Sequence, residues 1–299
     1  MQIENKNLET AISFVVLTLT MFITRYLGIF AMPFVLGAYL MNSIENKDYS
    51  SIYLYMASLG VLAIFLEPAF IFEKAILGLP FLIIAVTLIK MKMRGDKLLL
   101  AMTLTLVVSS IVYIIFLRDI FNINLIEVFN KSLDKQMELV KSYEGELIFD
   151  KDMVSLAYQE FKKYLASTVF FLAFIASFIA LKLPHYIIRK RGDVNITEPF
   201  IEALKFKRSA FYLMLTILLI FMLTDLGINE LIIDNISLMI FMSLAVQGLS
   251  FVMFTLKIRY KKTVAANLYF AISIFFLGIM FFINIIFGFI DGTTRIRGA

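Results

Sequence analysis

The sequence predicts an all-α polytopic membrane protein, with eight to nine transmembrane helices and an extramembrane helical hairpin inserted between them. Three observations lead there. Of the 299 residues, 61% are hydrophobic and 17% charged, with a mean hydropathy of +0.87; a soluble domain sits near half apolar and about a quarter charged. The apolar residues gather in runs near the length of about 20 that a bilayer demands. Basic residues cluster between those runs at 90–97, 182–208 and 257–262, the pattern of cytoplasmic loops.

The first span is expected from about Thr10 to Tyr26, with Ser13, Thr20 and Thr24 on one face and Arg25 closing it. Arg25 either snorkels to an interface or contacts an anion or partner in a cavity. A short second span, about Gly28 to Met41, contains Pro33 and Gly37, so a kinked or half-length helix is expected. The third runs from about Ser51 to Leu66. Glu67-Pro68 and Glu73-Lys74 then bracket four apolar residues, too few to cross a bilayer. That stretch reads as an extramembrane hairpin with solvated charges, or as a re-entrant piece placing Glu67 or Glu73 in a vestibule. The fourth span follows from about Gly78 to Ile89, with Pro80 near its start, and the fifth from about Leu98 to Leu117, with Thr105, Ser109 and Tyr113 on one face.

Residues 118–163 form the one substantial extramembrane insertion, with seven basic and nine acidic residues. Ile126, Phe129, Leu133, Met137 and Val140 keep amphipathic helical spacing, Glu127 and Lys131 form an i,i+4 pair, and Gly145 breaks the pattern. Met153, Leu156, Phe161 and Tyr164 suggest a second limb. The sixth span, about Ala166 to Leu183, presents Ala173, Ala176, Ser177 and Ala180 as a close-packing face. In the 182–208 loop, Thr197 is expected to cap a short helix with Phe200, Ile201, Leu204 and Phe206 along the membrane surface. The seventh span, about Ala210 to Leu223, precedes an acidic turn. The eighth runs from about Ile236 to Leu256 and the ninth from about Val264 to Ile290.

The eighth span carries the strongest local signal. Ser243, Gln247 and Ser250 share one helical face, and Gly248 lets another backbone approach it. A glutamine in lipid has no water to bond, so this face must meet protein or a wet cavity.

Composition excludes several chemistries. The chain has no cysteine and one histidine, His185, so disulfides, thiolate metal sites and histidine-rich metal or haem clusters are ruled out. No His-Glu-x-x-His motif, rhomboid-type serine–histidine set or glycine-rich phosphate loop is present, so no enzyme activity, cofactor or metal is expected. No clustered basic face on a soluble module argues for nucleic acid, and the net charge of +5 reads as a topology signal. The start, Met1 to Lys6, lacks the basic region and cleavage site of a signal peptide, so the first span is expected to be retained. Counting crossings puts the N-terminus in the cytoplasm. Counting on puts the C-terminus outside, against Arg295 and Arg297, so either the second or the last segment is not a simple crossing.

Gln247-Gly248-Leu249-Ser250 in the penultimate span, the basic turn after it, one last span, then Gly288-Phe289-Ile290-Asp291 and a basic tail resemble the YybS-like membrane proteins of bacteria, a family of unknown function. The chain departs from that pattern at Arg295, where a second acidic residue is expected, and in lacking a proline in the last span. The resemblance implies an N-terminal half similar to the S components of energy-coupling-factor vitamin transporters. It divides the chain into an N-terminal membrane half (1–117), the charged insertion (118–163) and a C-terminal membrane half (164–299). It also implies a small-solute-binding or transport-related protein of the bacterial inner membrane, docking on a transmembrane coupling protein with ATPases. The alternative is a membrane scaffold or regulator that binds proteins through its charged loops and transports nothing. The candidate ligand or helix-packing residues are Arg25, Glu67, Glu73, Ser243, Gln247, Gly248 and Ser250, and the stripe at 243–250 is expected to hold the two halves together.

Overall fold

The computed structural model describes residues 2–27, 31–46, 48–142, 156, 159–160, 163–190, 204–223, 229–294 and 297. Eleven helices lie among them: α1 (Gln2–Leu27), α2 (Met32–Asn46), α3 (Ser50–Leu62), α4 (Pro68–Lys90), α5 (Gly95–Phe121), α6 (Leu125–Ser142), α7 (Leu165–Lys190), α8 (Arg208–Leu223), α9 (Glu230–Phe254), α10 (Thr263–Phe275) and α11 (Leu277–Thr293). No strand occurs among the described residues. Among the described residues, four stretches are long and apolar enough to cross a bilayer: α4, α5, Leu165–His185 of α7, and α9 with its continuation to Arg259. Ala11–Arg25, Ser50–Leu62, Arg208–Leu223, Thr263–Ser273 and Gly278–Thr293 are shorter apolar helices.

The chain divides into two compact units, Met1–Glu146 with Leu172–Pro199, and Leu147–Phe171 with Phe200–Ala299. In the first, Tyr39 of α2 meets Tyr55 of α3 edge-on with ring centroids 4.9 Å apart, and Phe81, Leu82, Leu98 and Met102 are fully buried. The Tyr55 ring lies where a Cβ on Gly78 would fall, 2.0 Å from its hydroxyl oxygen, so only glycine lets α3 and α4 approach this closely. The small-residue face of α7 does what its spacing predicts. Ser177 and Ala180 are buried, and a Cβ on Gly37 of α2 would lie 3.0 Å from the Ala180 carbonyl oxygen.

The hairpin expected from Glu67 to Lys74 does not form. Pro68 opens a continuous helix at one of its first positions, where a missing N–H costs nothing, and α4 runs through Glu73, Lys74 and Pro80 to Lys90. The charges fail to break it because they neutralise each other: Lys74 Nζ lies 2.6 Å from Glu73 Oε1. Lys74, expected in solvent, is only 1% exposed. Pro33 likewise falls in the first turn of α2 and does not kink it.

Beyond α5, α6 forms as its amphipathic spacing predicts, with Lys131 Nζ 2.7 Å from Glu127 Oε1 on its exposed side. This pair lies outside the spans; the Lys131 ammonium holds the Glu127 carboxyl below its ordinary value and is itself raised in return. Most of the expected second limb, and residues 197–203 of the expected capped helix, fall outside the described residues; the rest of that helix, Leu204 to Phe206, does not form.

In the second unit, Phe211, Leu218, Ile240 and Leu244 pack α8 on α9, with Phe289 of α11 against them. Asn229 caps α9 by accepting from the Leu231 amide at 2.9 Å, so the helix begins earlier than the acidic turn suggested. The expected ninth span is two helices, broken at Phe276 (φ −111°, ψ 46°). The Tyr269 hydroxyl donates to Asn284 Oδ1 at 2.7 Å. A straight helix would separate those residues by about 22 Å, so α10 and α11 must fold back on each other.

Candidate functional site

Gln247 supplies the hub of the polar site in the second unit. Its Nε2 donates to Asp291 Oδ2 of α11 at 2.8 Å, and both residues are fully buried. The other carboxylate oxygen of Asp291 lies 2.8 Å from Arg297 Nε, in a pair whose side chains are 4% (Arg297) and 1% (Asp291) exposed. The guanidinium then reaches back along α9. Nη1 donates to Ser250 Oγ at 2.8 Å and to the Leu204 carbonyl at 3.0 Å, and Nη2 donates to the Gln247 carbonyl at 3.1 Å. Ser250 Oγ itself donates to the Leu204 carbonyl at 2.7 Å. Phe251 and Phe254 flank the guanidinium, each ring centroid 5.6 Å from Cζ.

The helices can bring these groups together because their crossing has glycine on both sides. A Cβ on Gly248 would fall 1.7 Å from the Asn284 carbonyl oxygen, and one on Gly288 would fall 2.1 Å from that of Leu244. One turn on, a Cβ on Gly292 would enter the Phe211 ring at 2.4 Å. Leu244 meets Gly288, Gln247 meets Asp291 and Ser250 meets Arg297, so partners advance together and α9 and α11 run in the same direction. Residue 297 therefore lies toward the end of α9 that leads into Lys257, Arg259, Lys261 and Lys262.

The other sequence candidates separate. Ser243 stays out of the cluster: its hydroxyl donates to the Met239 carbonyl on its own helix at 2.8 Å. Thr20, Thr24 and Thr105 close in the same way on Val16, Met21 and Ala101. Arg25 and Glu67 do meet, at 3.4 Å, but with their side chains 42% and 77% exposed. Glu73 pairs with Lys74, whose ammonium also stands 4.9 Å from the Phe70 ring centroid, while the Tyr55 hydroxyl donates to the Lys74 carbonyl at 2.8 Å. No group of three or more His, Cys, Asp or Glu suited to a metal occurs among the described residues.

In the sequence Asp291 enters only through the family resemblance and Arg297 only as a topology signal; neither is among the candidate site residues. The available signal was a carboxylate inside the last turn of a long apolar run, with Gly288 and Gly292 four apart beside it. A second interhelix join was also missed: Asn235 Oδ1 accepts from the Ser167 amide and hydroxyl at 3.1 and 2.8 Å, while Lys163 pairs with Asp234 alongside.

Residues 10–292 match the model of a family described as "Predicted membrane protein (DUF2232)". The chain belongs to that family. No curated protein and no solved structure matches it. Lipid is therefore its surroundings, and the cluster in the second unit is a buried polar join: every charge in it is met by an opposite charge or a hydrogen bond.

Proposed function

We propose that this membrane protein binds a small solute in its N-terminal unit and serves transport, docking on a transmembrane coupling protein with ATPases as S components do. The observation that carries the reading is the Glu73–Lys74 pair inside the apolar helix α4. Ionisable residues within spans are costly and mark solute or ion paths by default. Lys74 is 1% exposed, but its partner Glu73 keeps a quarter of its side chain accessible, at 26%. A polar solute can compete for that carboxylate without unfolding the core around Tyr55. The competing structural reading makes the pair a self-neutralised packing element, in which case its removal alters stability and nothing else.

On this reading the protein crosses a bacterial inner membrane eight times, with its N-terminus in the cytoplasm. The bend at Phe276 supports that count, because α10 has 13 residues and spans only about 20 Å. With α10 and α11 as a folded-back hairpin, the tail returns to the side of the basic turn at 257–262, where Arg295 and Arg297 fit the positive-inside pattern. Reporters fused after Asp150 and after Ala299 are expected to read outside and inside respectively.

The function is tested in a strain whose growth on a scarce solute depends on this protein. Because Glu73→Gln alone would strand the buried Lys74, the pair is removed together: Glu73→Gln with Lys74→Met is expected to abolish growth while the protein remains in the membrane at normal abundance. Normal growth of that variant removes solute binding from α4. Co-purification with partners lost on deleting Asn122 to Asp152, with solute-dependent growth intact, would instead favour the scaffold reading.

A further inference from the structure

The end of the second unit to which the Arg297 cluster points carries a surface that the cluster does not use. α9 passes into a wider turn at Thr255–Arg259, closed by the Tyr260 amide donating to Thr255 at 3.0 Å and the Lys262 amide donating to Leu256 at 2.7 Å. This staple holds Lys261 in the left-handed region, with φ 55°. It ends the helix in the same left-handed way as Lys92 after α4 and Asn122 after α5. Arg259, Lys261 and Lys262 all project from the turn, and none pairs with a carboxylate among the described residues. The segment before α8 is pinned to the same end: Leu204 is held by Ser250 and Arg297, and Arg208 reaches Thr294 at 3.4 Å. Lys207 and Arg208 are exposed there as well. The two segments, 204–208 and 255–262, contain no acidic residue.

Ile258 (55%), Tyr260 (59%) and Val264 (82%) stand exposed between these cations. A free phosphate has no use for them. An anionic phospholipid does: its phosphate meets the cations while its glycerol and upper acyl chain cover the apolar side chains, with tyrosine at the headgroup level. We infer that the turn at 257–262, with Lys207 and Arg208, holds the headgroup of an anionic phospholipid on the cytoplasmic leaflet. The site shares no residue with the solute reading of α4 and stands or falls separately from it; only its leaflet rests on the proposed topology.

The test is lipid retention by the full chain, released from detergent and weighed as intact complexes by native mass spectrometry. Phosphatidylglycerol is expected to be retained about tenfold over phosphatidylcholine of the same acyl chains, since each of these cations contributes to an anionic surface. The triple variant Arg259→Gln, Lys261→Gln, Lys262→Gln is expected to lose the preference. Lys131→Gln with Lys135→Gln on α6 is expected to keep it, as is the charge-keeping Arg259→Lys, Lys261→Arg, Lys262→Arg. Equal retention of the two lipids by the unmodified chain overturns the inference. So does a preference that survives the glutamine variant, its loss in the charge-keeping one, or its abolition by excess inorganic phosphate.

Discussion

Both units contain an arginine–carboxylate pair, and the two could hardly be placed more differently. Arg25 and Glu67 meet at 3.4 Å with their side chains 42% and 77% exposed; Arg297 and Asp291 meet at 2.8 Å with theirs 4% and 1% exposed. At an exposed site each ion exchanges water for a partner at little net gain, typically 0 to about 1 kcal/mol. At a buried site neither ion can return to water, so losing one strands the other. The first pair decorates its unit. The second fixes which helices of its unit can sit together.

The sharpest break of that contrast is Arg297→Met, which leaves Asp291 buried with only Gln247 to meet it. Thermal unfolding in detergent should show a loss on the order of 3–5 kcal/mol. Next comes Gly248→Ala, whose new methyl group meets the Asn284 backbone, not a flexible side chain, so α9 and α11 must part. A loss of about 1–3 kcal/mol is expected, with the Tyr269–Asn284 bond preserved in the hairpin beyond. Arg25→Gln and Glu67→Gln should each shift stability by less than about 1 kcal/mol, read in the same melts.

The smallest effect belongs to Glu127→Gln on α6. The Glu127 carboxyl is held below its ordinary 4.5 by Lys131, so its contribution is present above the unfolded value and fades as pH falls through the lowered one. The pair is fully exposed, so the variant should melt with the native chain at neutral pH. The two curves should converge further, not separate, in acid.

The class of fold was legible because bilayer thickness acts on every span at once, and eight of the apolar runs read from sequence coincide with helices. Boundaries failed where a local rule met a tertiary answer. Glu73 and Lys74 looked like a break, yet adjacent opposite charges cancel and a long lysine stem packs on apolar neighbours. Phe276 gave no warning at all. No proline or glycine stands there, and the Tyr269–Asn284 hydrogen bond that closes across the bend joins residues 15 apart with no signature in the pattern.

The site was half legible. Gln247, Gly248 and Ser250 stood out because polar and small residues in a span need a reason. What they touch did not, since Asp291 lies 44 residues on and the tail arginine has no periodicity to betray it. Gln247 and Ser250 join α9 to α11 and the tail within the second unit, whereas Ser243 bonds only to its own helix.

The most direct measurement is a double-mutant cycle on Asp291 and Arg297, using Asp291→Leu, Arg297→Met and the pair together, read as unfolding free energy in detergent. The account predicts that each single change is costly and that the double variant recovers most of the loss, for a coupling above about 2 kcal/mol. Single losses that simply add would contradict it, and would make the buried clasp no different from the exposed pair at Arg25 and Glu67.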